Sequence, residues 1–227
     1  MKIGIFGTGV VGQSIAVKLL EIGQDVMVGT REVAKTLART EPDSYGRPPI
    51  SALLKQHLGL KIGTFADAAR HGEILINATN GMGSLEVLNL AGESHLKGKI
   101  LIDIANPLDF SKGMPPSLFV CNTDSLGEQI QRHYPAVKVV KTLNTVTAGL
   151  MVDPRRLAGG EHHIFVSGDD QDARAQVTHY LTTWFGWKHI IDLGDITSAR
   201  ATEMYLPIWL RLYGALGTGM FNIQVTM

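Results

Sequence analysis

Gly7-Thr8-Gly9-Val10-Val11-Gly12 stands between the apolar run Ile3-Gly4-Ile5-Phe6 and an amphipathic segment in which Ile15, Leu19 and Ile22 recur at helical spacing. A G-x-G-x-x-G pattern alone is weak in a chain with 25 glycines. Placed between a strand and a helix it is the turn that cradles a dinucleotide. Gly7 permits the tight turn, Gly9 lets backbone amides approach a pyrophosphate, and Gly12 lets helix and strand pack closely. Val10 and Val11 open the helix, whose N-terminus offers partial positive charge to the phosphates.

The next strand should end about 20 residues further on, where an NAD-binding chain usually carries Asp or Glu for the ribose hydroxyls. Here that tip reads Val28-Gly29-Thr30-Arg31, with Lys35 one helical turn beyond. A guanidinium grips a phosphate in two places, and a residue four further on lies on the same helix face. Thr30, Arg31 and Lys35 therefore point to the 2′-phosphate of NADP rather than to NAD.

Along the rest of the chain short β-rich runs alternate with helical ones. Strands are expected at 2–6, 25–29, 61–65, 73–78, 99–105, 137–143, 163–167 and 189–193, and helices at 10–22, 32–39, 50–57, 84–90, 125–133 and 172–185. Ile74-Leu75-Ile76 and Ile100-Leu101-Ile102 are apolar on both faces, as strands of a parallel sheet covered on each side should be. The reading is an α/β, doubly wound, mostly parallel Rossmann-type sheet. Residues 1–143 would form the NADP-binding domain. Residues 144–227 would be a smaller C-terminal α/β region that completes the sheet, the acceptor pocket and a dimer interface. The proline-rich stretch 41–49 reads as a surface excursion. Asp169-Asp170 should cap the helix that follows. The tail 197–213 is apolar on several faces and should be buried in the core or against a second copy, with Pro207 kinking it.

In an open α/β sheet the ligand lies beyond the carboxyl ends of the strands. Those ends carry Asn77-Ala78-Thr79-Asn80, Asn106-Pro107 and Asn144-Thr145-Val146-Thr147. These are neutral amides and hydroxyls, suited to a carboxamide, a ribose or a flavin-like ring edge, and no titratable residue stands out as an acid or base. Lys141 is expected in an ordinary strand position, although a pairing with Asn144 in carbonyl chemistry is the alternative. No carboxylate cluster, paired cysteines or H-E-x-x-H suggests a metal, and His162-His163 reads as structural. Cys121, the single cysteine, follows Leu118-Phe119-Val120 and is expected to be a buried thiol.

Lysine plus arginine equals aspartate plus glutamate, 21 each, so no global field draws the chain to nucleic acid or lipid. No run of about 18 apolar residues occurs, and the simplest location is the cytoplasm.

On these motifs, with Lys141-Thr142-Leu143-Asn144-Thr145, Val166-Ser167-Gly168-Asp169-Asp170 and Ser198-Ala199-Arg200, the chain resembles the NADP-dependent oxidoreductases that exchange hydride with the 8-hydroxy-5-deazaflavin coenzyme. It is also similar to the cytosolic reductase domain of the six-transmembrane ferric reductases. The resemblance implies that Thr8, Thr30, Arg31 and Lys35 bind the 2′-phosphate. It also implies that the loops at Asn77, Asn106 and Asn144 frame the nicotinamide and the acceptor. The archaeal deazaflavin enzymes have a histidine where this chain has Asn144, whereas the ferric reductases have Asn; the stretch from Glu41 to Leu58 is also particular to this sequence. The expected activity is hydride transfer between NADP(H) and a deazaflavin, FAD or FMN, with a small-molecule redox acceptor and a second copy of the chain as partners. Reduction of a small carbonyl or imine is the alternative enzyme reading, and a non-enzymatic NADP(H) sensor is the alternative from another class.

Overall fold

The structure is a computed structural model that describes residues 1–42 and 48–227. Most of the excursion expected at 41–49 therefore lies outside the described residues. The elements run β1 (Lys2–Phe6), α1 (Val10–Glu21), β2 (Asp25–Thr30), α2 (Val33–Leu37), α3 (Ile50–Gln56), β3 (Lys61–Thr64), α4 (Phe65–His71), β4 (Ile74–Asn77), α5 (Ser84–Ala91), α6 (Glu93–Leu96) and β5 (Ile100–Asp103). There follow β6 (Leu108–Asp109), β7 (Ser117–Leu118), α7 (Leu126–His133), β8 (Lys138–Thr142), α8 (Ala148–Val152), β9 (His163–Ser167), α9 (Gln171–Tyr180), β10 (His189–Asp192), α10 (Ala199–Met204) and α11 (Leu206–Leu216).

Eight strands form one sheet in the order β10-β9-β8-β5-β4-β1-β2-β3. All neighbours are parallel except β8 and β9, which pair antiparallel. The fold is thus the doubly wound, mostly parallel Rossmann-type sheet that the alternation of runs implies. Successive side chains of a strand point to opposite faces, and the core divides accordingly. Ile74, Ile76, Ile100 and Ile102 join Ile15, Leu19 and the α8 and α9 side chains on one face. Leu75 and Leu101 join Phe6, Phe65, Leu88, Leu126 and Ile130 on the other. Each such fully buried side chain contributes roughly 1.5–3 kcal/mol, which is why strands with no polar face are stable only in this sandwich of helices.

Several local expectations need correction. Cys121 is exposed rather than buried. The apolar run before it is no core strand: Ser117–Leu118 pairs only with Leu108–Asp109 in a two-stranded ribbon apart from the main sheet, and Phe119 is partly exposed. The tail is not one kinked helix. Pro207 sits in the first turn of α11, where a missing N–H costs nothing, and α10 has ended at Met204. Of α11 only Leu206 is buried, while Ile208, Tyr213 and Leu216 are exposed. The helix expected at 172–185 closes in a wide π turn at Leu181–Phe185, where Trp184 stacks on Tyr180. Asp170 does cap α9, accepting from Ala173 N at 2.8 Å. His162 is buried between Pro154 O at 2.9 Å and Asn222, a structural role. No helix among the described residues is long and apolar enough to cross a membrane.

Candidate active site

The tips of β1, β2, β4, β5 and β8 open on one edge of the sheet, and the turn after β1 begins there. Gly7 holds φ 118°, a conformation glycine alone adopts freely. A Cβ on Gly7 would lie 2.5 Å from Ala78 O, and one on Gly12 would lie 2.2 Å from Gly7 O. Both glycines are therefore required by close backbone approach. Gly9 differs, since nothing stands within 4 Å of where its Cβ would be. No side chain caps α1 and its first turn holds no acid, so the leading amide N–H groups of Val10, Val11 and Gly12 have no intrahelical partner. That is the geometry an anion needs.

A cleft of about 340 Å³ continues from this turn between the tips of β2 and β4. It is walled by Thr8, Gly9, Thr30, Arg31, Lys35, Ala78, Thr79 and Asn80 among others, so eight of the expected contact residues meet there together with Gly7. Arg31 and Lys35 are well exposed, but both are already engaged: Arg31 donates to Glu86 Oε2 at 2.9 Å, and Lys35 lies 3.8 Å from Glu32 Oε1. Thr30 is buried and its hydroxyl is shared with Thr36 at 2.7 Å. Arg39 also lines the cleft, a third cation that the sequence reading passed over because it falls at the end of α2. A larger hollow of about 1220 Å³ shares Thr8, Gly9, Thr36 and Arg39 but runs along the outer face of α1 towards Gly149 and Arg156, away from the strand tips.

At the tip of β4 the structure turns Asn77 inward. Its amide donates to Ser84 Oγ at 3.0 Å and Asp103 Oδ1 at 2.8 Å, and its carbonyl accepts from Thr79 Oγ1 at 2.7 Å. The side chain is fully buried, so Asn77 shapes the loop that presents Ala78, Thr79 and Asn80. At the tips of β5 and β8, Asn106 and Asn144 exchange hydrogen bonds: Asn106 Nδ2 donates to Asn144 O at 2.9 Å, and Asn144 Nδ2 to Asn106 Oδ1 at 3.0 Å. Gly81 packs on this pair so tightly that a Cβ would lie 2.0 Å from Asn106 O. Leu143, just before Asn144, is a buried leucine at φ 61°. Strain of that kind persists only where the surroundings over-determine it.

Beneath these loops lies a feature that sequence reasoning missed. Lys141 sits in β8 as expected, yet its ammonium is completely buried. It donates to Ala105 O at 2.7 Å and forms ion pairs with Asp103 Oδ2 at 2.6 Å and Glu203 Oε1 at 2.8 Å. Burial pulls its pKa down, but the attraction of the two carboxylates outweighs it and the net shift is upward. Glu203 comes from α10, more than 60 residues from Lys141, and no local spacing marks it.

Residues 2–107 match the family model of NADP oxidoreductases that are coenzyme F420-dependent. A protein of Arthrobacter sp. FB24, provisionally assigned as an F420-dependent NADP reductase, is 54% identical, with each chain covering 100% of the other and a TM-score of 0.96. The chain belongs to the family of F420-dependent NADP oxidoreductases. Members of this family at greater distance include the F420-dependent NADP reductase of Methanothermobacter marburgensis, 25% identical over 93% of this chain and 92% of that one. The metalloreductase STEAP3 of Rattus norvegicus is 26% identical over 97% of this chain, which spans 40% of that protein's length. The protein is accordingly an NADP-dependent oxidoreductase of the Rossmann type.

Proposed function

We propose that this oxidoreductase transfers hydride between NADP(H) and a flavin-type acceptor, with a deazaflavin first among the candidates. The observation that carries the reading is the character of the strand tips. Ala78-Thr79-Asn80, the Asn106–Asn144 pair and Pro107 offer neutral groups locked to one another, on the same edge as an uncapped helix N-terminus. The phosphates would rest on the amides of Gly9, Val10, Val11 and Gly12. Arg31 and Lys35 would take the 2′-phosphate, with Thr8 and Thr30 shaping its cradle. The nicotinamide supplies the redox chemistry once bound; the chain's residues bind, orient and exclude water.

A flat acceptor ring stacked on the nicotinamide needs no protein acid or base. The carbonyl or imine alternative would need one, and Lys141 is poorly placed for it. All three polar contacts of its ammonium point into the protein and none of it reaches solvent. The relatives' names for their acceptors support the deazaflavin.

The test is to follow NADPH oxidation against deazaflavin, FAD, FMN, ferric chelates and simple carbonyls, in the native protein and in Asn144→Leu. Flavin-type acceptors should be reduced with little pH dependence of the chemical step. Asn144→Leu should slow acceptor reduction by about fivefold or more through misalignment, while NADPH affinity stays within a factor of about two. Turnover with a carbonyl and none with a flavin would reverse the reading.

The exposed apolar face of α11 suggests a second copy of the chain as its cover. Ile208, Tyr213 and Leu216 lie uncovered, and so does Val225 in the terminal segment, which is tied to β9 through His163 N to Ile223 O at 2.9 Å. Patches of this kind mark contact sites. Light scattering should report twice the mass of 24.6 kDa, and Ile208→Glu with Leu216→Glu should return it to one. A monomer in the native protein would refute the assembly.

A further inference from the structure

The Asp103–Lys141–Glu203 cluster is more elaborate than strand packing requires. One ammonium faces two carboxylates, and both carboxylates carry further contacts. Asp103 Oδ1 accepts from Asn77 Nδ2 at 2.8 Å and Ala105 N at 3.3 Å. Glu203 accepts from the first amides of α7, Leu126 N to Oε2 at 2.8 Å and Gly127 N to Oε1 at 3.0 Å. Every one of these partners is an N–H donor. Two carboxylates and one ammonium leave one net negative charge, fully buried, balanced only in part by the N-terminal dipole of α7. Arg200 does not cancel it, because both its contacts go to Glu128.

The position of this charge is specific. Asp103 ends β5, Lys141 lies one residue before the end of β8, and Asn77 ends β4. These three strand tips carry the loops at Asn77, Asn106 and Asn144 that would frame the nicotinamide. Its oxidised ring carries a positive charge and its reduced ring is neutral, while phosphates and riboses are identical in the two forms. A fixed charge in a low-dielectric interior acts over longer range than the same charge in water.

We propose that the buried Asp103–Lys141–Glu203 cluster sets the redox-state preference of the bound nucleotide, holding NADP⁺ more tightly relative to NADPH than the surrounding neutral groups would. The same charge serves the hydride-transfer direction that ends with the cationic ring on the enzyme. Hydride would leave the reduced ring with its electron pair and pass to the acceptor, and the net negative charge of the cluster would offset the positive charge left on the nicotinamide.

This inference rests on the nicotinamide lying at those tips, and the experiment separates the two ideas. Dissociation constants for NADP⁺ and NADPH are measured by calorimetry in the native protein and in Glu203→Gln, Asp103→Asn and Glu86→Gln. Each of the first two removes one buried negative charge with a near-isosteric amide. Each should lower the preference for NADP⁺ over NADPH by about threefold or more. Glu86→Gln, beside Arg31 at the tip of β2, should change both affinities by the same factor. A structural role alone would weaken both forms equally and leave their ratio unchanged, which overturns the inference. If the ratio also stays fixed in whichever of the two amide variants remains folded by circular dichroism, the cluster does not tune the cofactor. Failure of the native protein to bind either nucleotide would instead overturn the functional reading.

Discussion

Replacing Arg31 by Ala is expected to weaken NADPH binding by about tenfold or more and to leave NADH binding nearly unchanged, so that most of the native preference for NADPH disappears. Hydrogen bonds to charged groups are worth about 1.5–3 kcal/mol, and the only difference between the two nucleotides is the 2′-phosphate. The lower part of that range applies here for two reasons. Arg31 is well over half exposed, so solvent screens it. It must also release Glu86, which it holds at 2.9 Å, before it can turn to a phosphate. Glu86→Gln should accordingly tighten NADPH, because it removes both the competitor and a carboxylate that repels the incoming group. Fluorescence titration of both nucleotides against the three proteins decides the matter. Equal affinity of the native protein for NADPH and NADH would remove Arg31 and Lys35 from the 2′-phosphate site.

The strand tips were legible in the sequence because their signals are local. Gly7, Gly9 and Gly12 stand at fixed spacing between a strand and a helix. The apolar triplets at 74–76 and 100–102 can only belong to a sheet covered on both faces. What escaped the sequence is non-local or fell on short elements. Asn77 reads as a ligand contact, yet its partners Ser84 and Asp103 are seven and 26 residues away, and only the folded chain turns it inward. Glu203 stands in a tail that periodicity marks as apolar, and its place under Lys141 follows from α10 docking on α7. The α4 helix was hidden by taking Phe65 as strand, although Thr64 and Asp67 form a capping box in the order the motif requires. Cys121 was misjudged because a run of three apolar residues looks like core. Only the pairing shows that the strand before it, β7, has a single partner among the described residues and lies outside the sheet.

Lys141→Met should be the most destabilising substitution proposed for this protein, lowering the free energy of unfolding by about 3–5 kcal/mol. Methionine fills a similar volume, so the loss is not a matter of packing. Among the described residues the ammonium is the only cation in contact with Asp103 Oδ2 and Glu203 Oε1, and its removal leaves two buried carboxylates facing each other without it. Three connections loosen together: β8 to β5 through Asp103, the Ala105 carbonyl that precedes Asn106, and α10 through Glu203. Because the folded-state pKa of Lys141 is raised, its contribution is complete below the ordinary lysine value of 10.5 and fades only as pH rises through the folded value. Urea unfolding at pH 7 should show the full loss, and the gap between native and variant should narrow only in strongly alkaline solution. The triple variant Lys141→Met, Asp103→Asn, Glu203→Gln discriminates between causes, since it removes the stranded charges and should recover part of the stability. If Lys141→Met alone costs under about 1 kcal/mol, at least one of the two carboxylates takes up a proton when the ammonium is lost. The buried charge would then adjust to its surroundings instead of being fixed by the fold, and its hold on the oxidised nucleotide would go with it.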